Sequence, residues 1–152
     1  MLILLCHMGL FFGGNSHFSD SIFKIKKRII RVITNSGRRD SCRDLYKKLQ
    51  ILTLPSVYIF SLLNFVNKNR NYFVFNNDVH EFNTHFNHNL HLPTANLSLV
   101  QRGVLFSGSK IYNRLPSNIK LFKDPKRFKS ALKTYLIENT FYSVEEYYSL
   151  CS

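Results

Sequence analysis

A small, mainly α-helical domain with an irregular or weakly extended middle segment is the expected fold. Apolar residues recur at three- and four-residue spacing through most of the 152 residues, which is the period of an amphipathic helix. The exception is the stretch 68–96, where asparagine is dense and only NYFVF resembles a strand. A chain of this length is long enough to form one domain that buries about two-thirds of its surface.

The clearest helical pattern is SIFKIKKRIIRVIT, residues 21–34. Wound at about 100° per residue, it collects apolar side chains on one broad arc, which we expect to be buried against a core. Cations gather on the opposite side, so this helix is expected to face an acidic partner. The apolar arc comprises Ile22, Phe23, Ile25, Ile29, Ile30, Val32 and Ile33, and the cations are Lys24, Lys27, Arg28 and Arg31.

Capping residues and prolines predict where the helices begin and end. Ser19 or Asp20 is expected to cap the first helix, and Gly37 to end it in the left-handed conformation. Asp40 or Ser41 is expected to cap a second helix that continues to about residue 52. Further helical segments are expected over 55–67, where apolar residues lie almost all round, over 99–115 and 117–122, from Pro125 after an Asp124 cap, and over 143–150.

The charge of the chain favours a polyanionic partner. The sequence has 21 Lys and Arg against 9 Asp and Glu, a net charge of +12, which favours nucleic acid before an anionic membrane. A merely solvated basic surface is the alternative, and the clustering of cations on helix faces argues against it. Cations on rigid helices bind phosphates without reading sequence. The candidate nucleic-acid-binding residues are Lys24, Lys27, Arg28, Arg31, Arg38, Arg39, Lys126, Lys129 and Lys133, which Lys110, Arg114 and Lys120 would extend.

Catalytic constellations are missing from the sequence. Two-metal chemistry needs converging carboxylates, but no two aspartates are adjacent, and Asp20, Asp40 and Asp124 are expected to cap helices. There is no Walker loop, GxSxG or HExxH motif. We therefore expect no catalytic residues, no cofactor and no enzymatic activity of the chain alone.

A group of four histidines is the clearest candidate for metal ligation, but histidines in a loop without a metal are the favoured interpretation. No cysteine lies near them, and asparagine-rich linkers would have to hold the imidazoles rigid, so no metal site is expected. These histidines are His80, His85, His88 and His91.

The cysteines and the first residues favour a cytoplasmic or nuclear protein. Cys6, Cys42 and Cys151 are odd in number and far apart, which predicts reduced thiols with packing roles. The run MLILLCHMGLFF lacks a positive region before it and is too short to span a bilayer, so no membrane partner is expected. The alternative is a secreted basic protein, processed after Gly14 and glycosylated at Asn96.

Several segments occur in a specific order between about Met8 and Tyr148. GLFFGGNS and IFKIKKRIIRVIT are followed by RRDSCRDLYKKLQILTLPSVYIFSLL, NLHLPTANLSLVQRG, FSGSKIYNRLPSNIK and DPKRFKSALKTYL. Together they resemble the region after the fingers and palm of non-LTR (LINE-type, Jockey-like) retrotransposon reverse transcriptases, which show YGxxxWGxS and then a basic helix of the form IQKRAIRII. Gly13 stands where that family usually has tryptophan, and His85 where arginine is usual.

The resemblance implies a function and a division of the chain. Residues 1–36 would be the end of the thumb, with its basic helix along the template–primer duplex, and 37–152 a helical C-terminal region. The polymerase domain with its catalytic aspartates is absent, so the resemblance implies a 5′-truncated copy or an isolated C-terminal fragment. RNA, DNA or an RNA–DNA hybrid and a full-length polymerase are the implied partners. A degenerate copy with no biochemical role is the remaining alternative.

Overall fold

Residues 17–76, 89–92 and 103–150 are described by the computed structural model, and this part of the chain is mainly helical. The expected fold class is therefore confirmed. The helices are α1 (His17–Ile33), α2 (Cys42–Lys48), α3 (Leu54–Lys68), α4 (Val104–Asn113), α5 (Ser117–Lys120), α6 (Pro125–Asn139) and α7 (Val144–Leu150), and a 3₁₀ turn over Arg70–Tyr72 follows α3.

Helix α3 is the centre of the main core, as its all-round apolar sequence predicts. It packs against α4 and α6, and the hydroxyl of Thr53 caps its first turn by accepting from the Ser56 amide. Pro55 lies in that first turn, where no intrahelical amide bond is lost. The buried residues contributed by these three helices are Ile59, Leu62, Leu63, Val66, Ile111, Tyr112, Phe128, Leu132 and Leu136.

The described part of the middle segment is weakly extended. Phe75 and Leu90 form an isolated antiparallel bridge. Asn113, at the end of α4, donates to the Leu90 carbonyl at 2.8 Å and accepts from the Leu90 amide at 2.7 Å. The bridge is therefore tied to the core by one side-chain amide. Residues 77–88 and 93–102 lie outside the described residues.

The first helix begins and ends at residues other than those expected. It begins at His17, so Asp20 lies within the first turn and is not its cap. Its end is a left-handed Asn35 (φ 50°), and not Gly37. The Asn35 amide donates to Val32 and the Ser36 amide to Arg31, which is the double bond pattern of a Schellman motif. That motif places the left-handed residue two positions before Gly37, and asparagine tolerates the conformation.

The caps of the later helices agree with the sequence more closely. Asp124 accepts from the Lys126 amide at 3.2 Å, and Ser143 accepts from the Glu146 amide at 3.1 Å, as expected. At α2, Ser41 occupies the cap position without a side-chain hydrogen bond. Asp40 instead accepts from the Gly37 amide at 2.6 Å, so its carboxylate closes the preceding loop.

The expectation that α1 buries its whole apolar arc is wrong. Phe23 and Ile30 are buried, and they form a second cluster with Cys42, Tyr46 and Leu54. The neighbour of α1 is α2, which has seven residues and covers only one narrow stripe of it. The rest of the arc is exposed, at Ile22 (50 %), Ile25 (54 %), Ile29 (51 %), Val32 (80 %) and Ile33 (66 %).

Candidate nucleic-acid interface

An open groove at the end of α1 brings three of the expected cations together. Arg28, Arg31 and Arg38 line it with Val32 and the polar residues 35–36. The Schellman turn after α1 reverses the chain direction, which returns Arg38 to the end of the helix. None of the described residues that line the groove is acidic. This groove therefore concentrates positive charge that no carboxylate among its described lining residues neutralises.

Arg31 is the most buried of these three arginines. Its Nη2 donates to the Asp40 carbonyl at 3.2 Å, and its Nε is buried with no hydrogen-bond partner among the described residues. Arg28 and Arg38 are exposed. The groove thus combines one guanidinium that is hydrogen-bonded to the fold with two exposed guanidinium groups that could contact a phosphate. Lys24, one helical turn before Arg28, and Arg39, next to Arg38 in sequence, are also exposed but are not among the described lining residues.

Lys27 does not share the outer face on which the sequence places it. On the helical wheel it lies only about 40° from Phe23, at the edge of the buried stripe. Its Nζ is 4.3 Å from the Phe23 ring centroid and 4.7 Å from that of Tyr142. The ammonium group therefore packs α1 onto the segment after α6 by cation–π contacts.

A cluster around Tyr142 joins distant parts of the chain, and the sequence pattern did not reveal it. The Arg43 guanidinium lies 4.1 Å from the Tyr142 ring centroid and 2.7 Å from the Glu146 carboxylate. Burial raises the pKa of the Tyr142 phenol, while Arg43 and Arg31 act to lower it. The ring is therefore neutral at physiological pH. Because these residues are far apart in sequence, helical periodicity gives no signal for their contact.

The second cationic face has the orientation that the sequence predicts. Lys126, Lys129 and Lys133 are exposed on α6, whereas Phe128 and Leu132 of the same helix are buried. None of the three lysines is in a salt bridge in the described part of the chain.

Two of the three residues expected to extend this face, Lys110 and Lys120, make contacts within the chain. The Lys110 ammonium lies 4.9 Å from the Tyr148 ring centroid. Lys120 is half-buried and donates to Asn89 Oδ1 at 3.0 Å and to the Asn113 carbonyl at 2.9 Å. Arg114 is exposed. Lys120 therefore stabilises the fold and is not available as a surface cation.

Helix α6 contacts different parts of α3 at its two ends. Its first turn, with Lys126, borders a groove formed with the end of α3 at Lys68. Its other end is held at the start of α3, where the Thr53 hydroxyl donates to the Phe141 carbonyl, and Tyr142 contacts α1.

Metal ligation gains no support from the described residues, in which no group of three His, Cys, Asp or Glu side chains converges. His91 lies beside the extended bridge, where its amide donates to the Val74 carbonyl. Cys42 is buried and free. The other candidate metal ligands, His80, His85 and His88, lie outside the described residues. So do Cys6, Cys151, the candidate glycan acceptor Asn96 and the apolar run 1–12.

Two further results bear on the function. No helix of the described segments has the length and apolar character needed to cross a membrane. Comparison of the chain with protein-family models, with curated proteins and with solved structures finds no match.

Proposed function

We propose that the chain binds nucleic acid through its phosphate backbone, without reading sequence. The observation that carries this proposal is the convergence of Arg28, Arg31 and Arg38 around one groove whose described lining includes no acidic residue. Planar guanidinium groups match the oxygens of a phosphate in bidentate geometry. The net charge of +12 adds long-range attraction to any polyanion.

The proposed biological setting is the region after the catalytic domain of a non-LTR retrotransposon reverse transcriptase. Support for it comes from the ordered segments between about Met8 and Tyr148 and from the basic character of α1. In this setting the chain is not catalytic alone and works in the nucleus or cytoplasm. Its ligand is RNA, DNA or an RNA–DNA hybrid, and a full-length polymerase is a further partner.

The test is the salt dependence of binding to a fluorescein-labelled RNA–DNA hybrid of about 20 base pairs, measured by fluorescence anisotropy. With four to six phosphates engaged, log affinity should fall against log salt with a slope of roughly −4 to −5. The R28A/R38A variant should lower the magnitude of this slope by about 2, since each lost phosphate contact removes about 0.9.

A matched control removes the same charge elsewhere. Lys47 and Lys48 are exposed on α2 and do not line the arginine groove. The K47A/K48A variant should change the slope by less than half as much as R28A/R38A. No salt-dependent binding of the unmodified chain at low ionic strength would refute the proposed function.

A further inference from the structure

Helix α1 has a second apolar side, which we call the exposed stripe. Each of its members is at least 50 % exposed, and they are Ile22, Ile25, Ile29, Val32 and Ile33. At about 100° per residue they occupy roughly 100° of the helix surface, on a different side from the buried Phe23 and Ile30. Helix α1 therefore packs on the fold by one side and presents another that the described residues leave largely open.

The spacing within the exposed stripe is that of a helix–helix contact. Steps of three, four and three residues separate Ile22, Ile25, Ile29 and Val32. These are the steps between successive a and d positions of a heptad, and a stripe limited to them is the narrow seam along which one helix pairs with another. The spacing therefore favours a helical partner over an anionic lipid surface, which needs an apolar side but no such register.

Cations flank the exposed stripe on both sides. With Ile22 and Ile29 at a positions, Lys26 occupies an e position and Arg28 a g position. Lys24 lies next to Arg28 on the helix surface, and both are exposed and outside the salt bridges of the described segments. Because charges at e and g set the choice of partner, the partner helix should carry carboxylates beside its own apolar positions.

A second copy of the chain is a poor partner for the exposed stripe. In a parallel pair Lys26 of one copy would face Arg28 of the other, and in an antiparallel pair each would face its own counterpart. Like charges meet in both arrangements, and the net charge of +12 adds long-range repulsion. Charge therefore selects a different and acidic chain.

We propose that the exposed stripe of α1 is a docking site for an acidic amphipathic helix of another protein, apolar at its a and d positions and carrying Glu or Asp at e and g. This site goes beyond the proposed binding of nucleic acid. Val32 also lines the arginine groove, so the two surfaces adjoin, but Ile25 and Ile29 are not among the described lining residues of that groove.

The experiment uses a fluorescein-labelled synthetic peptide of three heptads, about 21 residues, with leucine at a and d and glutamate at e and g. The glutamates keep the peptide from pairing with itself. A second peptide has lysine in place of glutamate. In fluorescence anisotropy at low ionic strength, the acidic peptide should bind the unmodified chain at least tenfold more tightly than the basic one.

The I25Q/I29Q variant removes two apolar contacts without changing the charge. It should weaken binding of the acidic peptide at least about tenfold. L105Q/L121Q is the matched control, because Leu105 and Leu121 are 52 % and 70 % exposed and lie outside α1. The control should change the affinity for the peptide less than twofold, which separates docking at the stripe from general attraction to a basic chain.

Binding of the RNA–DNA hybrid is a separate readout. I25Q/I29Q should leave the affinity for the hybrid within about twofold, since both residues lie outside the described lining of the arginine groove. Peptide binding without any hybrid binding would refute the proposed function and leave the docking site standing. Equal binding of the two peptides, or equal effects of the two variants, would refute the docking site alone.

The other possible occupants of the stripe each have a distinct signature. A dimer in sedimentation equilibrium that I25Q/I29Q dissociates would assign the stripe to a second copy. Cosedimentation with phosphatidylserine vesicles that I25Q/I29Q abolishes, without peptide binding, would assign it to a membrane surface. A melting temperature that falls more in I25Q/I29Q than in L105Q/L121Q would show that another part of the same chain covers it. Each of these results would overturn the proposal.

Discussion

Neighbouring isoleucines of α1 show how narrow the contact of this helix is. Ile29 is 51 % exposed, whereas Ile30 is 4 % exposed and lies in the cluster with Phe23 and Tyr46. Successive residues point about 100° apart on a helix, so a narrow contact can bury one of them and leave the next one in solvent. Of these two similar side chains, the structure therefore indicates that Ile30, and not Ile29, contributes to stability.

Substitution of these two isoleucines should have very different effects on stability. Ile30→Ala should lower the free energy of unfolding by about 2–4 kcal/mol, because it leaves a cavity in the second cluster. Ile29→Ala should change it by less than about 0.5 kcal/mol, since the side chain is largely in solvent. Urea unfolding followed by circular dichroism measures both. Equal losses would contradict the narrow contact of α1.

Tyr46 is fully buried, and its hydroxyl has no hydrogen-bond partner among the described residues. Burial, with smaller effects of Tyr142 and Cys42, raises the pKa of this phenol well above its usual value near 10. Burial likewise raises the pKa of Tyr148 to about 12. Since the folded-state pKa values exceed the unfolded ones, stability is complete below pH 10 and is lost as the pH rises through the folded-state values.

Tyr46→Phe should therefore separate the cost of the unpaired buried hydroxyl from the loss of stability caused by its ionisation. At pH 8 the variant should be as stable as the unmodified chain, or more stable by about 1 kcal/mol, because an unpaired buried hydroxyl is removed. Between pH 8 and 11 it should lose less stability than the unmodified chain. Urea midpoints at the two pH values measure this difference. The same alkaline loss in both proteins would show that Tyr46 does not titrate in the transition.

One glycine of α4 allows this helix to approach α3 closely. A Cβ atom on Gly108 would lie 2.9 Å from Val66 Cγ2 and 3.8 Å from Leu62 Cδ1. Glycine otherwise disfavours a helix by about 1 kcal/mol relative to alanine. Its position inside α4 is thus explained by the close contact between the two helices.

Gly108→Ala should destabilise the chain by about 1–3 kcal/mol, because overpacking outweighs the gain in helix propensity. Combining it with Val66→Ala should recover part of that loss, since the clashing methyl group is removed. The double-mutant cycle, measured by chemical unfolding, tests this coupling. Strictly additive effects would mean that α3 and α4 do not meet at these residues.

At the scale of the whole molecule, the described part of the chain has two buried clusters that share α3. Leu54, at its first residue, belongs to the cluster with α1 and α2, while Ile59 and Leu62 belong to the main core. The Arg43–Glu146 pair also joins α2 to α7. Residues on either side of 36–37 therefore pack in one cluster, where Phe23 and Ile30 meet Cys42 and Tyr46.

Because the clusters share a helix, thermal unfolding should be a single cooperative transition. Circular dichroism and the fluorescence of the eight tyrosines, in a chain without tryptophan, should give the same midpoint. Leu132→Ala, in the main core, should lower that midpoint by both probes together, at a cost of about 2–5 kcal/mol. Two separate transitions would show independent clusters, and a broad change without cooperativity would support a degenerate chain.

Helix positions were predictable because the signals for them are local. Pro125 and the Asp124 cap mark the start of α6 within one turn of the helix they control. The apolar content of α3 likewise predicts its central position, since a helix that is apolar almost all round must be buried. The net charge and the exposed lysines of α6 also follow from the sequence.

Which side of α1 is covered depended on tertiary contacts. Its apolar arc is wide enough for a large partner, but α2 is seven residues long and covers only the stripe of Phe23 and Ile30. The same packing turns Lys27 toward Tyr142 and leaves Arg28 and Arg38 in the groove. A helix period reports which side chains share a face, but the size and position of the neighbouring element decide how much of that face is buried.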